Sequence, residues 1–379
     1  LKEKAKENIS SALIFPPDPV LILGLANYPS DSFKPDEYPM TSNRAGIKQK
    51  IPFPAKLYNR KELVKKQGLV FKHKKDQVIR ELKLGIKLLY GRIFLYEKLI
   101  RIKLSTIEKL NLLIDTVKSK YETGNAAYRD LIRVRIKIKG LEKEIIKMRA
   151  QRKNDLYRLN ELLGKEISEE EIDFKRHSIK MAELNSIYNT ALRTHPLIRS
   201  MEAEIEVNIR KVKLLKSQFF PDMTFSFLHS SRDDSLPDGG TDFVTFQAAL
   251  SLPLYSAFKQ RKNVSSSKNI LESKKLKLID VREKLKRDIS IKYTSFKESE
   301  EEYGLLNESI IPDSNSVVES SFKSYEVDRI DFIEFLKEIV ELYSFEAERE
   351  MVKYKMYSAA ASLEYYSGEE YIEKKFRRK

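Results

Sequence analysis

Apolar residues follow two rhythms along this chain, and the rhythms alternate. Val244, Phe246, Ala248, Leu250 and Leu252 alternate with Phe243, Thr245, Gln247, Ala249 and Ser251. That period of two predicts a strand with one apolar face. Ala45, Ile47, Gln49 and Ile51 alternate with Gly46, Lys48 and Lys50 in the same way. The β-prone runs VLILGLANY and MTFSFLHSS predict two further strands. Elsewhere the rhythm is helical. Leu131, Ile138 and Ile145 step by seven, beside Val134, Leu141 and Met148. A strict heptad predicts a left-handed coiled-coil seam. It is disturbed at Arg152 and Asp155 and resumes at Leu156, Leu159 and Leu163. A helix is predicted from 55 to 120, and about 65 residues at helical rise make roughly 100 Å. That length suits a coiled coil or a bundle rod.

The pattern occurs twice. IPFPAKLYNR (51–60) returns as LPLYSAFKQR (252–261), a spacing of 201 residues. Pro52, Pro54 and Pro253 mark these strand-to-helix junctions. Proline cannot donate to a sheet ladder but is tolerated in a first helical turn. Tyr121 matches Tyr325 and Gly164 matches Gly368, both at a spacing of 204. The first repeat spans 1–164, with strands at 19–28 and 45–52 and helices at 55–120 and 126–164. A connector, 165–194, carries a short helix at 179–193. The second repeat spans 195–368, with a helix at 197–219, strands at 222–230 and 243–252, and helices at 255–322 and 330–368. Pro312 is expected to kink or end the fourth of these early. The basic tail, 369–379, is expected to be mobile. Residues 1–14 match 205–218, so Leu1 falls inside a repeat helix and an N-terminal piece is expected to precede it.

Composition narrows the class. The net charge is +15, but Lys is interleaved with Glu along the helices, which reads as solvated helix faces and not a nucleic-acid surface. There is no cysteine, which excludes disulfides and thiolate metal sites. No apolar run reaches the ~20 residues of a membrane helix. His73, His177, His195 and His229 are scattered, and no phosphate loop or nucleophile motif is present. The chain is therefore expected to be no enzyme and to carry no cofactor or resident metal. His195 is expected at a helix boundary. Four strands cannot close a barrel. Three chains of four strands would give twelve, within the range of outer-membrane barrels. A small soluble sheet packed on the helices fits the periodicity equally well.

With these residues in view, the chain resembles the TolC-like outer-membrane efflux proteins. The resemblance rests on the duplication, His195-Pro196-Leu197, SQFFPDMTFSF, SLPLYSAFKQR, and helices ending in LNELLG and LEYYSG. YETGNAAYRDLI resembles the hairpin turn of that family, with Gly124, Asp130 and Leu131 in place. In YEVDRIDFIEFL, Asp328 replaces the glycine and Glu334 the aspartate. DPVLILGLANYP and GIKQKIPFPAKLYNR resemble the heavy-metal branch, which serves resistance-nodulation-division cation exporters. Ala55 stands where that branch is expected to carry glycine.

The resemblance implies a mainly α protein with a small β part. Its homotrimer would combine a twelve-stranded transmembrane β-barrel with a long α-helical periplasmic barrel. The implied partners are outer-membrane lipid, a periplasmic membrane-fusion adaptor and an inner-membrane pump. The function implied is passive exit of heavy-metal cations, with a drug-efflux or type I secretion duct as alternatives. Lys48, Lys50, Thr245 and Gln247 would line the lumen, and lysine rings are unexpected on a cation route. Tyr121, Gly124, Asp130, Tyr325, Asp328, Asp331 and Glu334 would form the periplasmic gate or docking tip. The reading from a different class is a soluble coiled-coil scaffold with a basic surface. Fractionation separates them: a barrel protein stays in the detergent-extracted outer membrane and runs as a trimer. A salt-washable monomer would favour the scaffold.

Overall fold

The computed structural model describes residues 15–124, 127–167, 177–236, 239–327 and 329–374. In chain order its elements are β1 (Val20–Ala26), β2 (Ser42–Ile51), α1 (Pro54–Glu122) and α2 (Tyr128–Leu163). Next come β3 (His177–Ile179), α3 (Leu184–Thr194), α4 (Pro196–Ser217), β4 (Asp222–Ser231) and β5 (Phe243–Ser251). The chain ends with α5 (Lys259–Leu305), α6 (Ile311–Glu326), α7 (Phe332–Ser367) and β6 (Ile372–Lys374). The protein is thus mostly helical with a small antiparallel sheet. The predicted helix over 1–14 lies outside the described residues.

The predicted helix at 255–322 is divided. It opens with a 3-10 turn, Leu254–Ala257, before α5, and a π-turn at Leu306–Ile310 separates α5 from α6. Pro312 explains the second break. A proline ring clashes with the carbonyl four residues back and offers no N–H, and the wider π-turn relieves both.

The described chain forms two compact units. One holds the chain up to Asp76 together with Pro196–Val281. It contains the four-stranded sheet, ordered β1-β2-β4-β5 and antiparallel throughout. It also contains three helical stretches, tied by charge. Glu204 of α4 lies 3.2 Å from Lys74 of α1 and 2.8 Å from Lys274 of α5. Desolvation would raise the Glu204 carboxyl, but the hydrogen bonds from Lys274 and Lys74 outweigh it and hold it below the usual carboxylate range.

The second unit holds Gln77–His195 and the chain from Arg282 onward. The heptad residues Leu131, Val134, Ile138 and Leu141 are buried with Leu110, Leu113 and Val117 of α1 and Phe332, Phe335 and Ile339 of α7. Where the heptad is disturbed, the side chains pair across to α1. Asp155 takes two bonds from Arg92, at 2.5 and 2.6 Å, and Arg152 lies 3.0 Å from Glu97. Gly91 lets α1 approach α7 closely, since a Cβ there would meet the Tyr357 ring at 2.7 Å.

The connector and the tail depart from expectation. Residues 177–179 are strand and pair antiparallel with 372–374, and the helix expected from 179 begins only at Leu184. The first part of the tail is therefore held. The Glu364 carboxylate accepts the backbone N–H groups of Tyr371 (2.7 Å) and Ile372 (2.8 Å) and pairs with Lys87. Residues 375–379 and 168–176 lie outside the described residues.

His195 closes α3, where its backbone N–H reaches the Ala191 carbonyl at 2.9 Å. Its ring is buried, edge-on to Tyr365 at 5.3 Å. Burial, then the nearby Arg80 cation, lower its pKa to about 4 from 6.5. The folded state therefore holds the neutral ring. Its contribution is fully present above pH 6.5 and is lost as pH falls from 6.5 towards 4. At pH 5 the loss is on the order of 2 kcal/mol. Thermal unfolding midpoints should drop between pH 7 and 5, and His195→Gln should flatten that response.

Candidate functional site

The sheet presents two unlike faces, and register decides which residues share one. Leu21, Ile47, Phe227 and Phe246 are aligned across the four strands, with Leu23, Ala45, His229 and Val244 beside them. This face is apolar and open: Leu23 is 71% and Phe246 79% exposed. On the other face Lys48, Ser226 and Gln247 are aligned, with Lys50, Thr224 and Ala249 next. Thr245 lies across from Leu228 on that same face. Lys48, Lys50, Thr245 and Gln247 are therefore brought to one surface, and the Ser226 hydroxyl donates to Gln247 Oε1 at 3.4 Å. The strands β1 and β5 are the sheet's two edges and leave half their backbone groups without a ladder partner. No helix among the described residues is long and apolar enough to cross a membrane.

At the foot of the sheet, Pro52 follows β2 and Pro54 opens α1 directly. Asp222, the first residue of the neighbouring β4, clamps this turn. Its Oδ1 accepts the Phe53 backbone N–H at 3.1 Å and Lys56 Nζ at 2.6 Å, and its Oδ2 lies 3.2 Å from Lys50. Lys56 Nζ also donates to the Phe220 carbonyl at 2.8 Å, and the Phe53 and Phe220 rings stack 4.5 Å apart. The Pro253 junction is built differently. It passes through the 3-10 turn, and Lys56 is matched there by Ala257, 201 residues on.

The two helical hairpins end near one another in the second unit. Gly124 takes the left-handed conformation, φ +79°, that ends α1. Tyr121 and Tyr128 lie ring to ring at 5.9 Å, and both are exposed. Asp331 and Glu334 are also exposed at the start of α7. Tyr325 stands apart from these exposed groups. It is buried, stacked on Phe335 at 5.6 Å, with Lys120 Nζ 4.5 Å above its ring. Lys120 Nζ also donates to the Tyr325 carbonyl at 2.6 Å, which ties the first hairpin to the second. Asp130 is buried in the first turn of α2, 3.5 Å from Arg133. Asp328 lies outside the described residues. Between α2 and α7 runs an open groove of about 540 Å³, lined by Lys137, Ile333, Leu336, Lys337, Val340 and Glu341 among others.

No protein-family model matches the chain, and no curated protein matches it. Solved structures do. The chain is similar to VceC, an outer membrane protein of Vibrio cholerae, at 12% identity and a TM-score of 0.81. That match covers 98% of this chain and 91% of VceC. It is similar to the outer-membrane channel OprN at 13% identity and a TM-score of 0.78, covering 97% of this chain and 84% of OprN. It is also similar to CusC, solved in a study of transmembrane channel formation. That identity is 12% and the TM-score 0.77, over 97% of this chain and 86% of CusC. The chain has a TolC-like channel fold.

Within that fold, three residues matter that sequence spacing did not single out. Asp222 is one. Glu364, which holds the tail, is another. The third is Arg80, whose guanidinium donates to the Thr194 and Tyr365 carbonyls, both at 3.3 Å, at the ends of α3 and α7. Gly368 makes room for it, since a Cβ there would meet Arg80 Nη2 at 2.5 Å. Arg80 and Asp222 act over long sequence distances, and Glu364 reaches seven and eight residues to the tail and 277 to Lys87. Asp222 and Glu364 lie at the start of a strand and near the end of a helix, whereas Arg80 lies in the middle of α1 with no local signal. Asp222→Asn should cost about 1.5–3 kcal/mol, the range for hydrogen bonds to a charged group. Lys56→Met should cost a similar amount, and denaturant unfolding of the double variant should show that the two are not additive.

Proposed function

We propose that the chain is the channel subunit of a tripartite efflux system in the outer membrane. Three copies join edge to edge, so that twelve strands close a barrel with its apolar face in lipid and its polar face around water. The helices continue the duct through the periplasm. The hairpin tip meets a periplasmic adaptor, which links the duct to an inner-membrane pump. The observation that carries this reading is the open sheet, apolar and exposed on one face, polar on the other, with both edges unpaired. The likeness in fold to outer-membrane channels supports it.

Heavy-metal cations are the cargo we assign, on the strength of DPVLILGLANYP and GIKQKIPFPAKLYNR. The duct itself performs no chemistry: transport through it is passive, and it is regulated at the tip. Tyr121, Asp331 and Glu334 are the exposed groups of the proposed tip, and Asp328 adjoins them in sequence. Three copies would place like charges around one axis, where a narrow ring has its largest effect on ions. Purified protein added to a planar bilayer should conduct. Asp328→Asn combined with Asp331→Asn should raise the single-channel conductance. A protein that never conducts overturns the duct, and unchanged conductance in the variant overturns the gate alone.

A further inference from the structure

The polar face of the sheet is not neutral. Its strand positions carry Arg44, Lys48 and Lys50 from β2, and a single carboxylate, Asp222. That carboxylate is already engaged, 3.2 Å from Lys50 and 2.6 Å from Lys56. Arg44 and Lys48 have no such compensation. Across the ladder Arg44 faces Gly24 and Ser230, and Lys48 faces Val20 and Ser226. All four neighbours are uncharged. Among the described residues neither cation forms an ion pair, and both are exposed. They are four residues apart, about 13 Å along a strand.

We infer that Arg44 and Lys48 make the barrel section an anion-preferring filter. The inference rests on the proposed trimeric duct. There the two positions become two stacked rings of three cations, with no carboxylate at the described strand positions free to balance them. A water-filled passage lined by one sign of charge concentrates the opposite sign and repels its own. The solutes this wall favours are therefore anions, metal ions carried as anionic complexes included. A bare divalent cation, the form of the cargo assigned above, would meet there a barrier that falls as salt rises. Lys50 contributes less, because Asp222 already offsets it.

Screening gives the filter a signature. The Debye length is about 30 Å at 0.01 M salt and about 3 Å at 1 M. A preference set by wall charge is thus strong in dilute salt and fades in concentrated salt.

The test uses the full chain in planar bilayers, with the reversal potential read across a KCl gradient. The native channel should favour chloride over potassium by about twofold or more in dilute salt, approaching unity at 1 M. Arg44→Ser combined with Lys48→Ser should lower that ratio by about twofold or more while the channel still conducts. Lys50→Ser should lower it less. If the serine pair fails to insert, Arg44→Gln with Lys48→Gln is read in its place, with the same expectation. A native channel that favours potassium, or a ratio unmoved by the paired variants, overturns the filter and leaves the duct standing. Absence of conductance in the native protein overturns the duct, and the filter with it.

Discussion

A β-sheet with two free edges cannot finish itself, and this constraint governs the whole chain. Every backbone N–H and C=O at an edge must find a partner, and in hydrocarbon an unmet group costs several kcal/mol. Here β1 and β5 are the edges, and the face between them is apolar and exposed. Among the described residues of one chain nothing covers that face. Pairing the edges with further copies of the same sheet meets both demands together. It satisfies the backbone and sends every apolar face outward. The prolines belong to the same logic. They stop the ladder at Ile51 and Ser251, where the strands give way to helix.

The helices obey a different rule. Their seams mix apolar and ionic contacts: Arg92 with Asp155 and Glu97 with Arg152 fall where the heptad is disturbed, and Lys103 with Glu144 falls within it. Asp155 is buried, and removing Arg92 would leave it only the exposed Arg158 at 3.5 Å, at a cost of about 1.5–3 kcal/mol, the range for hydrogen bonds to a charged group. Exposed pairs such as Lys139 with Glu142 are worth far less, about 0–1 kcal/mol. The difference explains why a chain one-third charged still has a defined helix register. A few pairs that hold a buried carboxylate fix it, and the exposed pairs add little.

Periodicity made much of the fold legible. Strand faces follow from alternation, and the observed register puts together the residues that alternation had put in phase. The seam of α2 follows from its heptads. The joints were not legible, for a physical reason. Arg80 reaches carbonyls 114 and 285 residues away, and Asp222 reaches a backbone N–H 169 residues away. A lone arginine or aspartate carries no period, so only the folded backbone shows what it serves. The tail illustrates the same limit. Its basic composition suggested mobility, whereas one glutamate in the preceding helix supplies two acceptor bonds that tie it down. Tyr325, found by its turn motif, packs into the core cluster near the hairpin ends, and no spacing in the sequence marks that burial.

The duplication raises one last point. Spacing makes the two strand-to-helix junctions equivalent, yet they are built differently. The first is clamped because β2 has β4 beside it, and β4 begins with Asp222. The second lacks such a neighbour within the chain, because β5 is an edge. The repeat counterpart of Asp222 is Asp18, 204 residues earlier, exposed just ahead of β1. On the duct reading, β1 of the next copy lies against β5. Asp18 would then approach the Pro253 turn as Asp222 approaches the Phe53 turn. It would do so without the lysine, since Ala257 stands where Lys56 does. On that reading a repeated sequence would give one junction completed within the chain and one completed between chains, and the weaker clamp would fall at the seam between copies.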